Sequence, residues 1–413
     1  MTNLKIIQFL VSRFCSALGD QFLLFAVPLI IYKSTQNVSL VGLAFFIEWT
    51  PRVLSLPIAG AFSDRLGGKK VYLLADFVRM TICLLGFLLI KLFPDNIFVI
   101  VSLVMSICAF FYAQAFIAME STVPKLVSKA DLPKAQSILQ GIDQTSAILG
   151  PALAAMLALY LKNQEFLLVA AGVFALGFLG VLLLGSALKV QIVKPSQKQI
   201  WRDIVQGAKV LLDYPNLLTL TALSILVNLI IGIALATGAP LITGTFNKPD
   251  SYFAILNTTA GVLGVVSFLL MPKLTKHFSV FSLGITAYLA VLCGGMLMGL
   301  ANNFYLFVLG YALASGSTGL FNVYIRTERV QWIPSHHLGK TIGLIVLLNQ
   351  LSLPLAGILV ALGSGRLGTK SLFILSSLVA AAYIAWIYKR LKAQSKTNRP
   401  VSINQKLRTP PRI

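Results

Sequence analysis

Acidic residues are scarce. Thirteen Asp and Glu stand against 34 Lys and Arg in 413 residues, and charged residues of both signs make up only 11%. A soluble globular chain carries about a quarter, so a water-soluble fold is excluded. Histidine is rarer still: His277, His336 and His337 all sit in short polar connectors. The four cysteines, Cys15, Cys83, Cys108 and Cys293, lie inside apolar runs without a C-x-x-C spacing, which excludes a disulfide framework and gives no metal site. There is no H-E-x-x-H, no G-x-S-x-G and no P-loop, so no enzyme, cofactor or ATP-driven pump is indicated.

What fills the chain instead is apolar surface. Hydrophobic residues reach 57% and mean hydropathy is +0.84. Stretches long enough to cross a bilayer lie near 9–31, 40–62, 71–90, 97–118, 138–159, 166–188, 217–242, 252–271, 279–300, 304–325, 341–362 and 371–388, at about 20 residues per span. Apolarity is continuous around each one, as suits helices in lipid and not the two-residue alternation of a membrane barrel. The opening MTNLKIIQFL leads into a run containing Arg13 and Asp20 with no small-x-small cleavage site, and reads as a retained first helix. The expected fold is an all-α membrane protein of twelve transmembrane helices in two parallel six-helix repeats. Its parts are residues 1–188, a linker at 189–216, residues 217–388 and a basic tail at 389–413. In the linker, Ile200, Ile204, Val205, Ala208, Leu211 and Leu212 recur at helical spacing among charges, the pattern of an amphipathic surface helix. Asp143-Gln144 and Asn349-Gln350, 206 residues apart, carry a faint internal repeat.

Of the 34 basic residues, 25 fall in the even-numbered connectors and the termini and 6 in the odd-numbered connectors. Both termini are therefore expected in the cytoplasm, in a bacterial inner membrane. Topology accounts for the charge of +21, so nucleic acid is not an expected partner. The tail, with eight basic residues and no acid from Lys389 to Ile413, reads as a topology anchor or a contact for anionic lipid.

The connector after the second helix runs Gly60-Ala-Phe-Ser-Asp64-Arg65-Leu-Gly67-Gly68-Lys69-Lys70. It resembles the signature G-x-x-x-D-R-x-G-R-K of the major facilitator superfamily, with Gly68 where a basic residue is usual. The resemblance implies a cytoplasmic latch of the outward-facing state, in which Asp64 faces the start of the eleventh helix and Arg65 faces Glu120 on the fourth. Asp76 and Arg79 are expected to join that latch. Ser16-Ala17-Leu18-Gly19-Asp20, Pro51 and the run from Val71 to Arg79 resemble the branch of macrolide-efflux and enterobactin-exporting proteins. The antiporter signature of the fifth helix is present only as Gly150-Pro151.

Each charge inside a helix costs on the order of 3 kcal/mol or more in lipid and needs a reason. Asp20 has two readings, a proton or substrate carboxylate or a fixed pair with a basic residue; Arg13 lies two turns earlier on the same face with Ser16 between. Glu48 and Arg52, spaced i,i+4, could neutralise each other or form a proton site. Asp143 could line an inner vestibule or serve packing. The second half has no acid at its helix centres and offers Asn228, Asn257, Asn322, Asn349 and Gln350, suited to hydrogen-bonding a polar ligand. Trp49, Tyr112, Tyr311 and Tyr324 could stack on a ring or simply pack. Together these readings predict a monomeric secondary transporter that rocks two halves around a central site, with protons as the coupling ion and an amphiphilic siderophore or drug-like compound as exported substrate. A lysophospholipid transporter, an importer of the same fold and a non-transporting receptor are the alternatives.

Overall fold

In a computed structural model, residues 3–126, 132–158, 160–162, 164–183, 197–249, 251–334 and 338–397 are described. They form a succession of helices with no strand among the described residues. The helices are α1 (Asn3–Thr35), α2 (Val38–Leu66), α3 (Gly68–Leu92), α4 (Ile97–Leu126), α5 (Leu132–Leu157), α6 (Glu165–Leu182) and α7 (Gln197–Asp213). They continue as α8 (Pro215–Ala239), α9 (Tyr252–His277), α10 (Val280–Leu300), α11 (Phe304–Trp332), α12 (Leu338–Leu367) and α13 (Thr369–Thr397). Among the described residues ten helices are long and apolar enough to cross a membrane. The two remaining expected spans are occupied by α5 and α9. Several helices outrun the bilayer: the 33 residues of α1 extend about 50 Å at 1.5 Å per residue, against a hydrocarbon core of about 30 Å.

Composition inverts the usual arrangement of polar outside and apolar inside. On α3, Leu84, Leu85, Leu88, Leu89 and Leu92 are exposed while Asp76, Arg79 and Cys83 are buried. A lipid-facing stripe of leucine around a polar interior is the arrangement a bilayer selects. The span of α1 is 72% buried and that of α13 only 28%, so α1 is a central helix and α13 a peripheral one. Helix α7 lies within the 189–216 segment; of its apolar residues Val210 and Leu211 are buried, and Val205 and Leu212 are exposed.

Two compact units divide the chain. The first comprises Met1–Ile200, Leu235–Gly261 and Pro354–Arg366. A core of Phe9, Tyr72, Ala75, Ala115, Met119 and Val181, with neighbouring apolar residues, ties α1, α3, α4 and α6 together within it. Here α2 and the end of α12 touch backbone to backbone. A Cβ on Gly42 would lie 2.6 Å from the amide nitrogen of Ala361, and one on Gly357 2.6 Å from that of Phe46. Ser39 Oγ and Ser364 Oγ are 3.1 Å apart at the same crossing. The second unit comprises Trp201–Ala234, Val262–Leu353 and Leu367–Ile413. Within it α10 and α11 approach backbone to backbone: a Cβ on Gly294 would lie 2.5 Å from the carbonyl oxygen of Gly310.

Candidate functional site: a charged interior in the first unit

Helical periodicity puts Arg13, Ser16 and Asp20 on one face of α1 and Tyr72, Asp76 and Arg79 on one face of α3. The structure brings the two stripes together. One Arg79 nitrogen, Nη1, donates to both oxygens of Asp20 at 2.7 and 2.8 Å. The other, Nη2, donates to Ser16 Oγ at 2.8 Å and to Asp76 Oδ1. Ser16 Oγ donates in turn to Asp76 Oδ1 at 3.0 Å, and Arg79 Nε donates to the carbonyl of Ala75 at 3.3 Å. The guanidinium lies over the ring of Phe174 on α6, 4.7 Å from its centroid. Gly177, one turn along α6, leaves room for this group: a Cβ there would stand 3.0 Å from Asp76 Oδ2. Every donor on Arg79 is thus used, and its side chain is 0% exposed.

A second ion pair lies alongside. Arg13 Nη2 meets Asp143 Oδ1 of α5 at 2.6 Å, while Arg13 Nε and Nη1 are buried without a hydrogen-bond partner. Asp143 remains partly open, with its side chain 33% exposed.

Glu48 and Arg52 behave otherwise. Arg52 is held between two rings, 3.9 Å from the centroid of Tyr112 on α4 and 4.6 Å from that of Trp49; such cation–π contacts are worth about 0.5–2 kcal/mol each. Glu48 is 1% exposed, and its Oε1, together with Arg52 Nε and Trp49 Nε1, has no hydrogen-bond partner. No ion pair to Glu48 occurs within 4 Å among the described residues. Arg52 and Asp20 are the charges that face it.

Formal charge then separates Glu48 from the rest. Among the described side chains, the interior of α1, α2, α3 and α5 holds four carboxyl groups (Asp20, Glu48, Asp76, Asp143) and three guanidinium groups (Arg13, Arg52, Arg79). One proton makes the set neutral. Asp20, Asp76 and Asp143 each have an arginine partner, and Glu48 has none within 4 Å among the described residues.

Other sequence-based candidates fall elsewhere. Asp76 and Arg79, expected beside the latch, are tied to α1. They lie 8 and 11 residues into a helix that begins at Gly68, about 12 and 16 Å along its axis, too deep for a helix-end contact. Gly67 turns with φ 83°, a left-handed conformation that suits glycine, and Lys69 and Lys70 follow on the first turn of α3. Gly60 lies in α2, and the side chains of Asp64, Arg65 and Glu120, like that of Asn257, lie outside those described. In the second unit Asn228 Nδ2 donates to the backbone carbonyl of Asn349 at 3.3 Å, and Asn349 Oδ1 is buried without a partner. Gln350 is half-buried, Asn322 exposed and Tyr311 buried. The basic tail beyond Thr397, as well as His336 and His337, lies outside the described residues.

Two features escaped the sequence reading. The pairing of Arg79 with Asp20 was signalled by matching stripes on α1 and α3, a signal that a signature-based assignment of Arg79 concealed. Cys83 on α3 and Cys108 on α4 are buried with Sγ atoms 3.9 Å apart, and no spacing rule points to them.

The profile of the Major Facilitator Superfamily matches residues 9–298. An uncharacterised transporter of the same type, YfiS of Bacillus subtilis (strain 168), is 25% identical over 373 residues, 87% of this chain and 85% of that protein. Among solved structures, a mutant of the nucleoside transporter NupG superposes with a TM-score of 0.76 at 14% identity, over 92% of this chain and 99% of that one. A bacterial homologue of the iron transporter ferroportin, in an inward-facing state, does so with a TM-score of 0.71 at 17% identity, over 94% and 99%. At these identities the structures speak for the fold alone.

Proposed function

We propose that this chain, which belongs to the major facilitator superfamily and is a membrane transporter, is a proton-coupled exporter of an amphiphilic small molecule, with Glu48 as the group that takes up and gives back the proton. Within the superfamily the proposal extends to twelve spans in halves at 1–188 and 217–388, an inner-membrane location with both termini cytoplasmic, a monomeric state, and substrates of siderophore or drug-like type as in the macrolide-efflux and enterobactin-exporting branch. The observation that carries it is the buried carboxyl group of Glu48, which has an oxygen without a partner in an interior of four acids and three arginines.

The chemistry follows from charge balance. Protonated, Glu48 leaves the interior neutral, which low-dielectric surroundings favour. Deprotonated, it adds one uncompensated negative charge facing Arg52 and Asp20. A change of one charge biases two conformers by the difference in its cost between them. The proton gradient can then drive transport without any bond being made or broken on the substrate. The rings of Trp49 and Tyr112 that clasp Arg52 supply an apolar wall beside this charge, a combination that suits an amphiphile.

The test compares metabolites of medium and cells under iron limitation in strains carrying no copy, the native gene and a Glu48→Gln variant. Compounds enriched in the medium by the native gene and not by the variant are expected. Equal enrichment by both would remove Glu48 from coupling, and accumulation inside the cells with the native gene would reverse the direction.

A further inference from the structure

A cavity of about 590 Å³ opens within the second unit, away from the charged interior described above. Its wall is made by the first turns of α8 and α10, the last turns of α9 and α11, and by Ile384 and Ile387 of α13. The volume falls in the range of small-molecule sites. The only charged side chain on the wall is Glu328, half-buried in the penultimate turn of α11. From residue 214 to the end of the chain there are just two acids, Asp250 and Glu328. No Lys, Arg or His lines the cavity, although Arg326 and Arg329 flank Glu328 in sequence and the chain carries a charge of +21.

Aromatic rings share this wall with Glu328. Tyr324 and Trp332, one turn to either side of Glu328, are 4% and 8% exposed, so their rings are fixed by packing. Phe281 meets Tyr324 edge to face with centroids 5.9 Å apart. Phe278 and Phe281 are both exposed and complete the wall from the connector and first turn of α10. Rings whose faces carry negative potential, set round one carboxylate with Gln331 and several hydroxyl groups beside it, attract a cation with an apolar body and disfavour an anion. Basic connectors mark this end of the helices as cytoplasmic under the positive-inside rule, so the cavity is offered to solutes of the cell interior.

We infer that the cavity lined by Glu328, Tyr324, Trp332, Phe278 and Phe281 is a binding site for an organic cation, a protonated or quaternary amine with an aromatic or alkyl arm, separate from the proton-carrying interior of the first unit. The carboxylate neutralises the head group, and the rings contribute cation–π and apolar contact to the arm.

Titration calorimetry of the full chain in lipid nanodiscs with benzyltrimethylammonium chloride tests this. Saturable binding is expected, with no binding of benzenesulfonate, which keeps the ring and reverses the charge. Glu328→Gln should weaken binding about tenfold or more, equivalent to about 1.4 kcal/mol, without lowering the unfolding temperature, because the side chain is half-buried and holds no ion pair among the described residues. Trp332→Leu should weaken it further; if that variant does not fold, Glu328→Gln decides alone. Absence of saturable binding to the native chain, equal binding of benzenesulfonate, or an affinity unchanged by Glu328→Gln would each overturn the inference.

Discussion

The interiors of the two units are built from different materials. In the first, Arg13, Asp20, Glu48, Arg52, Asp76, Arg79 and Asp143 lie inside α1, α2, α3 and α5, and two arginines hold three carboxylates in ion pairs. In the second, no acid lies at the centre of a membrane-spanning helix; α10 meets α11 through Gly294 and Gly310, and a side-chain amide of Asn228 reaches a backbone carbonyl. Lipid provides no hydrophobic drive for helices to associate, so close packing and polar contacts must do it. The second unit relies on small residues for that task, which shows that this fold can be assembled without buried ions. The ions of the first unit are therefore an additional feature, retained at a cost of several kcal/mol each before pairing, a cost that the proton chemistry proposed for Glu48 accounts for.

Breaking the lattice should have the largest effect. Arg79→Leu strands the carboxylates of Asp20 and Asp76, and loss of one partner from a buried ion pair costs about 3–5 kcal/mol. The variant should unfold at a markedly lower temperature in detergent than the native protein. Adding Asp20→Asn to it should recover part of the loss, because one stranded charge is removed. A double variant no more stable than Arg79→Leu would show that the arginine acts through packing and not through charge.

The packing-based unit should respond to volume. Gly294→Leu forces a side chain against the carbonyl of Gly310, where even a Cβ would lie at 2.5 Å, and overpacking of this kind costs about 1–3 kcal/mol. Thermal unfolding should show the loss, with substrate pH dependence unaltered in whatever fraction folds. An effect as large as that of Arg79→Leu would erase the distinction between the units.

Asn228→Ala should be the mildest, removing one hydrogen bond worth about 0.5–1.5 kcal/mol. Its unfolding temperature should fall slightly, and coupling to a pH gradient should persist. Loss of coupling in that variant would bring proton chemistry into the second unit.

Much of this was legible in the sequence. Continuous apolar runs located the helices, since in lipid a spanning segment has to satisfy its own backbone. The linker helix was readable from six apolar residues recurring at helical spacing among charges. The signature at Gly60 to Lys70 led to the family that residues 9–298 match. The partners of the buried charges were less legible. Periodicity fixes which face a residue occupies and not which helix that face meets, so the sequence assigns Arg79 to the latch by its nearness to the signature, while its carboxylate partner lies on α1 at Asp20. Spacing also favoured a Glu48–Arg52 pair, because i,i+4 neighbours can always meet on a helix surface. The rings of Trp49 and Tyr112 compete for the guanidinium, and Tyr112 comes from a helix far along the chain. The aromatic cavity around Glu328 depends on five segments coming together and has no local pattern.

The central claim is that one proton resides on Glu48 when the interior is neutral. Infrared difference spectroscopy of the full chain in lipid nanodiscs, comparing native protein with Glu48→Gln at neutral pH, reads it through the C=O stretch of a protonated carboxyl group. This band is expected in the native protein, should be absent from Glu48→Gln, and should be retained in Asp20→Asn. A band that survives in Glu48→Gln and disappears in Asp20→Asn would contradict the account and move the proton to Asp20.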